Sequence, residues 1–481
     1  MKTIFAKSVK GRRAFNIETG ASKAVEVLPK ELLRQNPPKL PECSELDIVR
    51  HFTNLSNQNF SVDANFYPLG SCTMKYNPKF MEYVANLPGF TRIHPMLAQL
   101  GRGGALVQGA LECLYEAEKL LCALTGMAAF TFQPMAGANG ELTGVKLINA
   151  YHKAKGQKRT KMLIPDSAHG TNPASAALAG FEVVNINSKE GMLDPEELVR
   201  ILNEEGDNIA GLMMTCPNTL GLMEIHLPRI VELLRAHDAL LYYDGANMNA
   251  IMGKMRVGDV GFDVVHLNVH KTLGTPHGGG GPGAGPVGVN ERLLPFLPAP
   301  RVMMRDDGVL RLDYNLPQSI GFIGPFYGSF GVVVKALAYM LRLGGEGLRR
   351  ASEYAVLNAN YLKKQLEGVL DIPFASRLCA HEFVASAPNG LHALDIAKGL
   401  LERGFHAPTI YFPLIVNECL MAEPTESESK ETLDAYVDAL KEIVEKGEKD
   451  HSVLEEAPHG LSVRRPDETA AARQMVLTED F

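Results

Sequence analysis

The chain has 481 residues, 46% of them hydrophobic and 21% charged, which is the composition of a globular protein with large buried cores. The formal net charge is −7 and no basic cluster is present, so composition argues against nucleic-acid and membrane-surface binding. Seven scattered cysteines without a CxxC pair argue against a disulfide framework and a zinc site, and for a reducing compartment.

Residues 1–60 are of mixed character and are interrupted by Pro29, Pro37, Pro38 and Pro41, which favours an arm over a core. The first residues lack the apolar centre of a signal peptide, and no apolar run in the chain reaches transmembrane length. We therefore expect a cytoplasmic protein with no membrane span.

Strand-like and helical stretches alternate from Phe130 to about Leu294, which predicts a parallel sheet with helices on both faces. A helix is predicted before this region, at residues 105–125, because apolar residues recur there at helical spacing without an internal proline. The clearest helix start within it is at residues 194–202, where Asp194 is a predicted N-cap and Pro195 suits the first turn.

A turn of small residues connects the first of these strands to its helix. The run Phe130–Glu141 passes from the strand through this turn into a helix predicted over Leu142–His152. Free N–H groups and the helix dipole at such a start bind anions, so the backbone of Ala138, Asn139 and Gly140 is a candidate phosphate site. An ordinary glycine turn before a helix is the alternative.

His169 follows the next strand-like run, Met162–Pro165. An imidazole at that position can stack on a planar ring bound at the end of the strand. A histidine with a purely structural role is the alternative.

Asp244 ends the apolar run Leu240–Tyr243 and precedes two small residues, Gly245 and Ala246. A buried carboxylate keeps the pyridine nitrogen of pyridoxal phosphate protonated, and the small residues leave room for a ring. An aspartate that forms a turn before glycine is the alternative.

Lys271 follows the apolar run Val264–Val269. A lysine at the end of a buried strand must find a partner, lose its proton or be consumed in an imine, and the imine is the chemistry of pyridoxal phosphate. A lysine that reaches solvent from the strand end is the alternative. Because strand ends of a parallel sheet face one crevice, Lys271 and Asp244 together indicate a pyridoxal phosphate site, with His270 and Ala246 as further candidate cofactor-binding residues.

The glycine-rich run His277–Gly283 permits a nucleotide-binding interpretation. Gly278, Gly280 and Gly283 have GxGxxG spacing, but any dense glycine run offers one. No Gly-Lys-Ser/Thr ending follows, and Pro282 disfavours a helix start, so this interpretation is the weaker one.

The C-terminal third begins with a long helical pattern from Gly331 to about Leu366. Beyond it, a predicted strand at Glu382–Ala385 is followed by predicted helices at Ala393–Arg403 and Lys430–Glu445. We therefore expect five segments: an N-terminal arm (1–60), a large cofactor-binding domain (61–330), a linking helix (331–372), a small α/β domain (373–456) and a tail (457–481).

The order of phosphate turn, histidine, aspartate and lysine is that of the aspartate-aminotransferase-like fold of pyridoxal phosphate enzymes. Four segments, Tyr67–Pro78, Asp244–Ala250, His266–Gly285 and Glu423–Glu426, closely resemble the P-protein family of the glycine cleavage system. The resemblance runs from about Asn65 to the C-terminus and is to the lysine-bearing half of single-chain members, as in the second subunit of the two-subunit bacterial form.

The resemblance implies that Lys271 holds pyridoxal phosphate, that Asp244 pairs with its ring nitrogen and that His169 stacks on its ring. It also implies glycine as the substrate, transfer of the aminomethyl group to the lipoyl arm of the H-protein, and a glycine dehydrogenase subunit 1 in a two-plus-two heterotetramer. The arm and the tail carry too little apolar surface to fold independently, and we expect them to wrap that partner.

Ser71, Thr73 and Tyr76, in the first of the four segments, are candidates for the substrate or lipoyl side of the site. A polar loop that packs on a partner is the alternative. Relatives often have asparagine at the position of Cys216, so no role is assigned to it or to Cys72.

Three other functions stay open at this point besides the P-protein: nucleotide binding through the glycine run, another decarboxylase or aminotransferase of the same fold, and a scaffold subunit that has lost its chemistry. The pair of Asp244 and Lys271 does not separate the P-protein from other enzymes of the fold, whereas the segment Tyr67–Pro78 favours it. The presence of Lys271, Asp244 and His169 together argues against a scaffold.

Overall fold

The computed structural model describes residues 2–14, 28–36, 38–100, 103–278, 283–388 and 390–477. In these ranges the strands are β1 (Ala129–Thr131), β2 (Lys161–Pro165), β3 (Glu182–Ile186), β4 (Ser188–Lys189), β5 (Met192–Leu193), β6 (Ile209–Thr215), β7 (Leu240–Gly245), β8 (Val264–Leu267), β9 (Val287–Val289), β10 (Arg301–Met304), β11 (Leu310–Asp313), β12 (Phe383–Ser386), β13 (Thr409–Ile410) and β14 (Cys419–Ala422).

The α-helices of the same ranges are α1 (Glu45–Ser56), α2 (Lys79–Ala85), α3 (Pro88–Thr91), α4 (Gln108–Thr125), α5 (Gly137–Ala154), α6 (Thr171–Leu178), α7 (Pro195–Glu205), α8 (Leu227–Ala236), α9 (Val257–Val260), α10 (Val269–Thr272), α11 (Phe330–Gln365), α12 (Ala393–Glu402), α13 (Lys430–Lys449), α14 (His451–Glu455) and α15 (Glu468–Arg473). Short 3₁₀ helices span Phe5–Lys7, Lys30–Leu32, Pro95–Gln99, Gly103–Leu106, Gly206–Asn208 and Leu294–Phe296.

A seven-stranded sheet in the order β1-β9-β8-β7-β6-β2-β3 lies at the centre of the larger part of the fold. The strands from β8 to β3 pair in parallel, whereas β9 is antiparallel to both of its neighbours. The predicted mainly parallel sheet is therefore confirmed. Because parallel strands end at one edge, the loops that follow β2, β6, β7 and β8 meet there.

Side chains of β7 alternate between the two faces of this sheet. Leu241 and Tyr243 belong to the core that α4, α8 and α11 cover, and Leu240 and Tyr242 belong to the core under α5. The same alternation places Asp244 on the face covered by α5, so its carboxylate lies beside the start of that helix.

The predicted helix starts have different outcomes. α7 begins at Pro195 as predicted, and the Asp194 side chain accepts the N–H of Glu196 at 3.0 Å. The start predicted at Leu142 is wrong, because α5 begins five residues earlier, at Gly137. Its N-cap is alanine, which has no capping side chain, so the sequence carries no cap signal at this point.

The long helix α11 connects the sheet to a second core. Its backbone leaves helical geometry at Gly344, where φ is 61° and ψ is −178°. The second core packs α12 and α13 against an antiparallel sheet of β12, β14 and β13. The strand and the two helices predicted in this region are confirmed within a few residues, while the division into five segments stays a prediction.

A loop in the segment Tyr67–Pro78 connects the two parts. Phe66, just before it, packs in the second core, and Leu69 forms an antiparallel bridge with Ala422. The N–H of Gly70 donates to the carbonyl of Met421 at 3.2 Å. The residues that follow, from Ser71 on, are therefore fixed between β14 and the edge of the large sheet.

Helix α1, within the predicted arm, exposes apolar side chains. His51 is the buried residue of this helix, whereas Leu46, Val49 and Phe52 are each 54% exposed. Helix α1 therefore carries an apolar face that is open in this chain, and the wrapping of a partner by the arm stays a prediction. Part of the predicted arm, residues 15–27 among others, lies outside the described residues.

The tail is held by its own chain. The Arg465 guanidinium donates to the Asp395 carboxylate at 2.8 Å and to the carbonyls of Leu454 and Ala457, both at 2.7 Å.

None of the helices in the described ranges has the length and apolarity that a membrane crossing requires.

Candidate active site

A cavity of about 180 Å³ opens where the carboxyl ends of the parallel strands meet the second part of the fold. Its walls are formed by Ser71, Gly137, Ala138, Glu141, His169, Thr171, Thr215, Pro217, Thr219, Asp244, Ala246, Asn247, Asn268, Lys271, His381 and Glu382. Six of the residues predicted from sequence are among them: Ser71, Ala138, His169, Asp244, Ala246 and Lys271. Five predicted residues are not: Thr73, Tyr76, Asn139, Gly140 and His270.

Asp244 is buried and held by three groups. Its oxygens accept from the Asn172 amide at 2.9 Å and from the N–H of Ala246 at 3.0 Å, and His266 Nε2 lies 3.4 Å away. Burial acts to raise the pKa of Asp244, but the attraction of His266 and these hydrogen bonds outweigh it and lower the pKa. The cavity thus has a fixed negative charge at the end of β7.

Lys271 lies on α10, the short helix after β8, and not at the end of the strand as predicted. Its Nζ donates to the carbonyl oxygen of Ser71 at 2.6 Å. The backbone of Ser71 is left-handed, with φ of 61°, a conformation that a non-glycine residue keeps only when its surroundings enforce it. The amine is thus half-buried, held by one carbonyl and directed at the cavity.

The start of α5 forms another wall of the cavity. The N–H groups of Gly137, Ala138 and Asn139, the first three residues of the helix, have no partner within it. The N–H of Gly140 donates to the carbonyl of Ala136 at 2.9 Å, so the prediction that Gly140 offers a free donor is wrong. A Cβ at Gly137 would lie 2.5 Å from Oδ1 of Asn268, so this helix start packs tightly on the loop after β8.

His169 lies in the loop after β2, exposed at the cavity, and its Nδ1 is 2.9 Å from the hydroxyl of Thr171. Its ring meets that of Phe412 edge to face at 5.5 Å. His270 is not among the wall residues, and its ring meets that of His277 edge to face at 5.2 Å. Its burial, together with His277 and Lys271, lowers its pKa to about 3. A cofactor contact of His270 stays a prediction.

Thr73 and Tyr76, two of the three candidate residues in the segment Tyr67–Pro78, lie outside the cavity wall. Thr73 is buried and donates through its N–H and its hydroxyl to the Glu423 carboxylate, at 3.0 and 2.8 Å. Tyr76 is 47% exposed, with its ring 5.4 Å from Nζ of Lys79. Of this loop, Ser71 alone among the three candidates reaches the cavity wall.

Sequence reasoning missed several residues of the wall. Thr215 ends β6 and Thr219 follows it, whereas His381 and Glu382 precede β12, more than a hundred residues after Lys271. The position at the carboxyl end of a parallel strand is a signal that identifies Thr215. No local pattern identifies His381 and Glu382, because the second part of the fold brings them to the cavity.

Pyridoxal phosphate fits the donor set of this cavity. Buried polar atoms that lack a protein partner occur on three wall residues, namely Thr215 Oγ1, Asn268 Oδ1 and both ring nitrogens of His381. Such atoms are costly unless a bound group or water satisfies them. An amine at Lys271, a carboxylate at Asp244 and free helix N–H groups supply the three contacts that the cofactor needs for its aldehyde, ring nitrogen and phosphate.

Solved structures of low sequence identity share this fold. A crystal structure of glycine decarboxylase (P-protein) of the glycine cleavage system, in inhibitor-bound form, matches with a TM-score of 0.72 and 22% identity over 88% of this chain and 94% of that chain. An aspartate aminotransferase from Thermus thermophilus matches with a TM-score of 0.57 and 15% identity over 79% and 99%. The fold is that of the aspartate-aminotransferase-like pyridoxal phosphate enzymes, which confirms the predicted fold class.

Sequence comparison is more specific. The family model for the glycine cleavage system P-protein matches residues 19–310, and that for the glycine dehydrogenase C-terminal domain matches residues 351–459. The probable glycine dehydrogenase (decarboxylating) subunit 2 of Listeria welshimeri is 51% identical over 99% of this chain and 98% of its own length. The same subunit of Caldanaerobacter subterraneus is 53% identical over 98% of both chains. The chain belongs to the glycine cleavage system P-protein family.

Proposed function

We propose that this chain is the lysine-bearing subunit of a glycine decarboxylase that uses pyridoxal phosphate and transfers the aminomethyl group of glycine to the lipoyl arm of an H-protein. The observation that carries the proposal is the presence of Lys271, Asp244 and the start of α5 around one cavity. Membership of the P-protein family supports glycine as the substrate over other amino acids.

The residues that line the cavity have distinct roles in the proposed reaction. When bound, pyridoxal phosphate supplies the electron sink for the electron pair that departing carbon dioxide leaves on the α-carbon. Lys271 provides the amine that holds the aldehyde carbon, and the Ser71 carbonyl orients that amine. Asp244 holds the proton on the ring nitrogen, because its lowered pKa keeps it charged at neutral pH.

The remaining groups bind and enclose. The N–H groups of Gly137 and Ala138 bind the phosphate at the positive end of α5. His169 covers one face of the ring. Glycine has no side chain to recognise, so its selection requires that the site sterically exclude larger amino acids.

The proposal includes two partners. The relatives are named as a subunit 2, which supports a subunit 1 that completes the active enzyme. We propose that two copies of each subunit form the assembly. The lipoyl arm of the H-protein is the acceptor of the aminomethyl group and needs an open path to Lys271. The exposed apolar face of α1 is the surface of this chain that we assign to subunit 1.

The test is an isotope exchange with the purified chain, pyridoxal phosphate, subunit 1 and lipoyl H-protein. We expect labelled bicarbonate to exchange with the carboxyl carbon of glycine, and the exchange to weaken greatly without subunit 1. Transfer of the amino group to a 2-oxo acid without carbon exchange would favour an aminotransferase instead. Full exchange by the chain alone would contradict the two-subunit part of the proposal.

A further inference from the structure

Two buried glutamates lie together at the cavity, where Glu382 forms part of the wall and Glu423 lies behind it, and the chemistry described so far uses neither. Glu382 and Glu423 are 4% and 0% exposed. Carboxylate oxygens of both lie within 4.8 Å of each other and of a ring nitrogen of His381. Two carboxyl groups so close in a site of low dielectric constant do not both ionise at neutral pH, so the pair holds one proton.

Hydrogen bonds identify which of the two carboxyl groups is charged. Glu423 accepts from the N–H and the hydroxyl of Thr73, and from the side-chain amides of Asn247 and Asn249, at 2.8 to 3.1 Å. All these partners donate, which suits a carboxylate that only accepts. Glu382 accepts one N–H, that of Ser71, at 2.7 Å. The proton of the pair therefore resides on Glu382.

The other groups around Glu382 agree with this assignment. Burial, and then the charge of Glu423, raise the pKa of Glu382 to about 8, against the opposing effects of the Ser71 N–H and Lys271. His381 Nε2 lies 3.7 Å from Glu382, but burial lowers the pKa of His381, so this ring is neutral and gives no positive charge. The thiols that face Glu382, those of Cys72, Cys379 and Cys419, have raised pKa values through burial and stay neutral as well.

One residue, Ser71, links this acid to the amine of Lys271. Ser71 donates its N–H to Glu382 and accepts the Lys271 amine on its carbonyl. Ser71 and Thr73 both have left-handed φ, 61° and 47°, and each is held there by one glutamate of the pair. Glu382 is thus connected through Ser71 to the Lys271 amine, whereas Asp244 is held by other groups at the end of β7.

We infer that Glu382 is the general acid of the aminomethyl transfer, and that it protonates the sulfur atom released when the α-carbon attacks the disulfide of the lipoyl arm. This inference rests on the proposed function. The electron pair left by carbon dioxide forms the carbon–sulfur bond, the sulfur–sulfur bond breaks, and its electron pair goes to the second sulfur. That sulfur takes the proton of Glu382 and becomes a thiol, so the disulfide is the oxidant and no further reactant is needed.

The test compares the wild type with Glu382→Gln in the complex with subunit 1 and lipoyl H-protein. Glutamine keeps an acceptor for the Ser71 N–H but has no proton to give, so we expect the release of thiols to fall at least ~100-fold, within the range for loss of a general acid. Cofactor absorbance, its change with glycine and thermal unfolding should stay as in the wild type. Glu382→Asp keeps a transferable proton and should retain more activity than the Gln variant.

The pH dependence gives a second measurement. Wild-type thiol release should decline as pH rises through about 8, because Glu382 then loses its proton, and Glu382→Gln should lack this decline. The infrared band of protonated carboxyl groups should lose intensity as pH rises through about 8 in the cofactor-free wild type, and Glu382→Gln should lack this loss. The matched control is Glu428→Gln, since Glu428 also has a pKa raised, to about 7, but lies outside the cavity wall.

The outcomes are separable. Glu382→Gln with wild-type thiol release and an unchanged alkaline decline would overturn the inference and leave the proposed function intact. An Asp variant that is less active than the Gln variant would also overturn it. A wild-type complex that releases no thiols from lipoyl H-protein with glycine would instead contradict the proposed function.

Discussion

Asp244 shows how the surroundings of one residue set its charge. A buried carboxyl alone would be partly protonated, because burial disfavours the charged form. Here Asn172, Ala246 and His266 each approach one of its oxygens and lower its pKa. The other ring nitrogen of His266, Nδ1, lies 2.7 Å from the hydroxyl of Tyr242. This hydrogen bond within the sheet fixes the His266 ring beside the Asp244 carboxylate.

Replacement of Asp244 by asparagine removes this charge with little change in shape. We expect Asp244→Asn to retain bound pyridoxal phosphate and to lose ~100-fold or more in turnover, which is ~3 kcal/mol of barrier, because a neutral amide does not hold the ring proton. Steady-state exchange rates measure it, with the exposed Asp307→Asn as the control. Near-normal turnover of Asp244→Asn would assign the ring nitrogen to another partner.

Three of the cavity residues that sequence reasoning identified share one property. Lys271, Asp244 and His169 each lie at or just after the carboxyl end of a strand of the parallel sheet, so their place along the chain predicts their place in space. Glu382 and His381 do not share it, because they reach the cavity only through the packing of the second core. The order of strands along the chain therefore predicts the site residues that lie at one edge of the sheet, but not those contributed by the second core.

At the scale of elements, the start of α5 illustrates what local signals leave out. Asp194 and Pro195 mark the start of α7 by their side chains, and the prediction there is confirmed. The N-cap of α5 is Ala136, and the helix begins at a glycine, so no side chain marks it. The position of this start is set by its contact with the loop after β8, which tertiary structure alone determines.

That contact yields a prediction for Gly137→Ala. The added Cβ would lie 2.5 Å from Oδ1 and 2.7 Å from Nδ2 of Asn268, so either the helix start or the Asn268 side chain must move. We expect the dissociation constant of pyridoxal phosphate to rise about tenfold, or ~1.4 kcal/mol, with a small effect on folding. Titration of the cofactor-free protein, followed by absorbance, measures the constant.

The control for this change is Gly109→Ala at the start of α4, where a Cβ would meet no atom within 4 Å. It should bind the cofactor as the wild type does. Equal affinity of the Gly137 and Gly109 variants would contradict a phosphate site at the start of α5.

At the scale of the whole molecule, the open apolar face of α1 indicates a missing partner. Leu46, Val49 and Phe52 are each 54% exposed and lie on a helix that contributes one buried residue, His51, to its own chain. Apolar faces of this kind on a capped, well-formed helix are typical of protein interfaces. We assign this face to subunit 1.

Phe52→Glu tests the assignment. Because Phe52 is largely exposed in this chain, the change should leave the unfolding temperature unaltered, but it should weaken the complex with subunit 1 at least about tenfold. Sizing chromatography and titration calorimetry measure the two effects. The matched control introduces the same charge at another exposed apolar residue, Leu378→Glu, where the leucine is 85% exposed. Complex formation unaffected by Phe52→Glu would remove α1 from the interface.

The central claim is that Lys271 holds pyridoxal phosphate and that the bound cofactor decarboxylates glycine. The most direct measurement is the near-visible absorbance of Lys271→Ala and the wild type, each loaded with cofactor and then mixed with glycine in the presence of subunit 1. Lys254→Ala, at an exposed lysine, is the control. We predict the imine absorbance in the wild type and the control, its change with glycine, and the loss of this absorbance and of carboxyl exchange in Lys271→Ala. The same spectrum and exchange rate in Lys271→Ala as in the wild type would contradict the account.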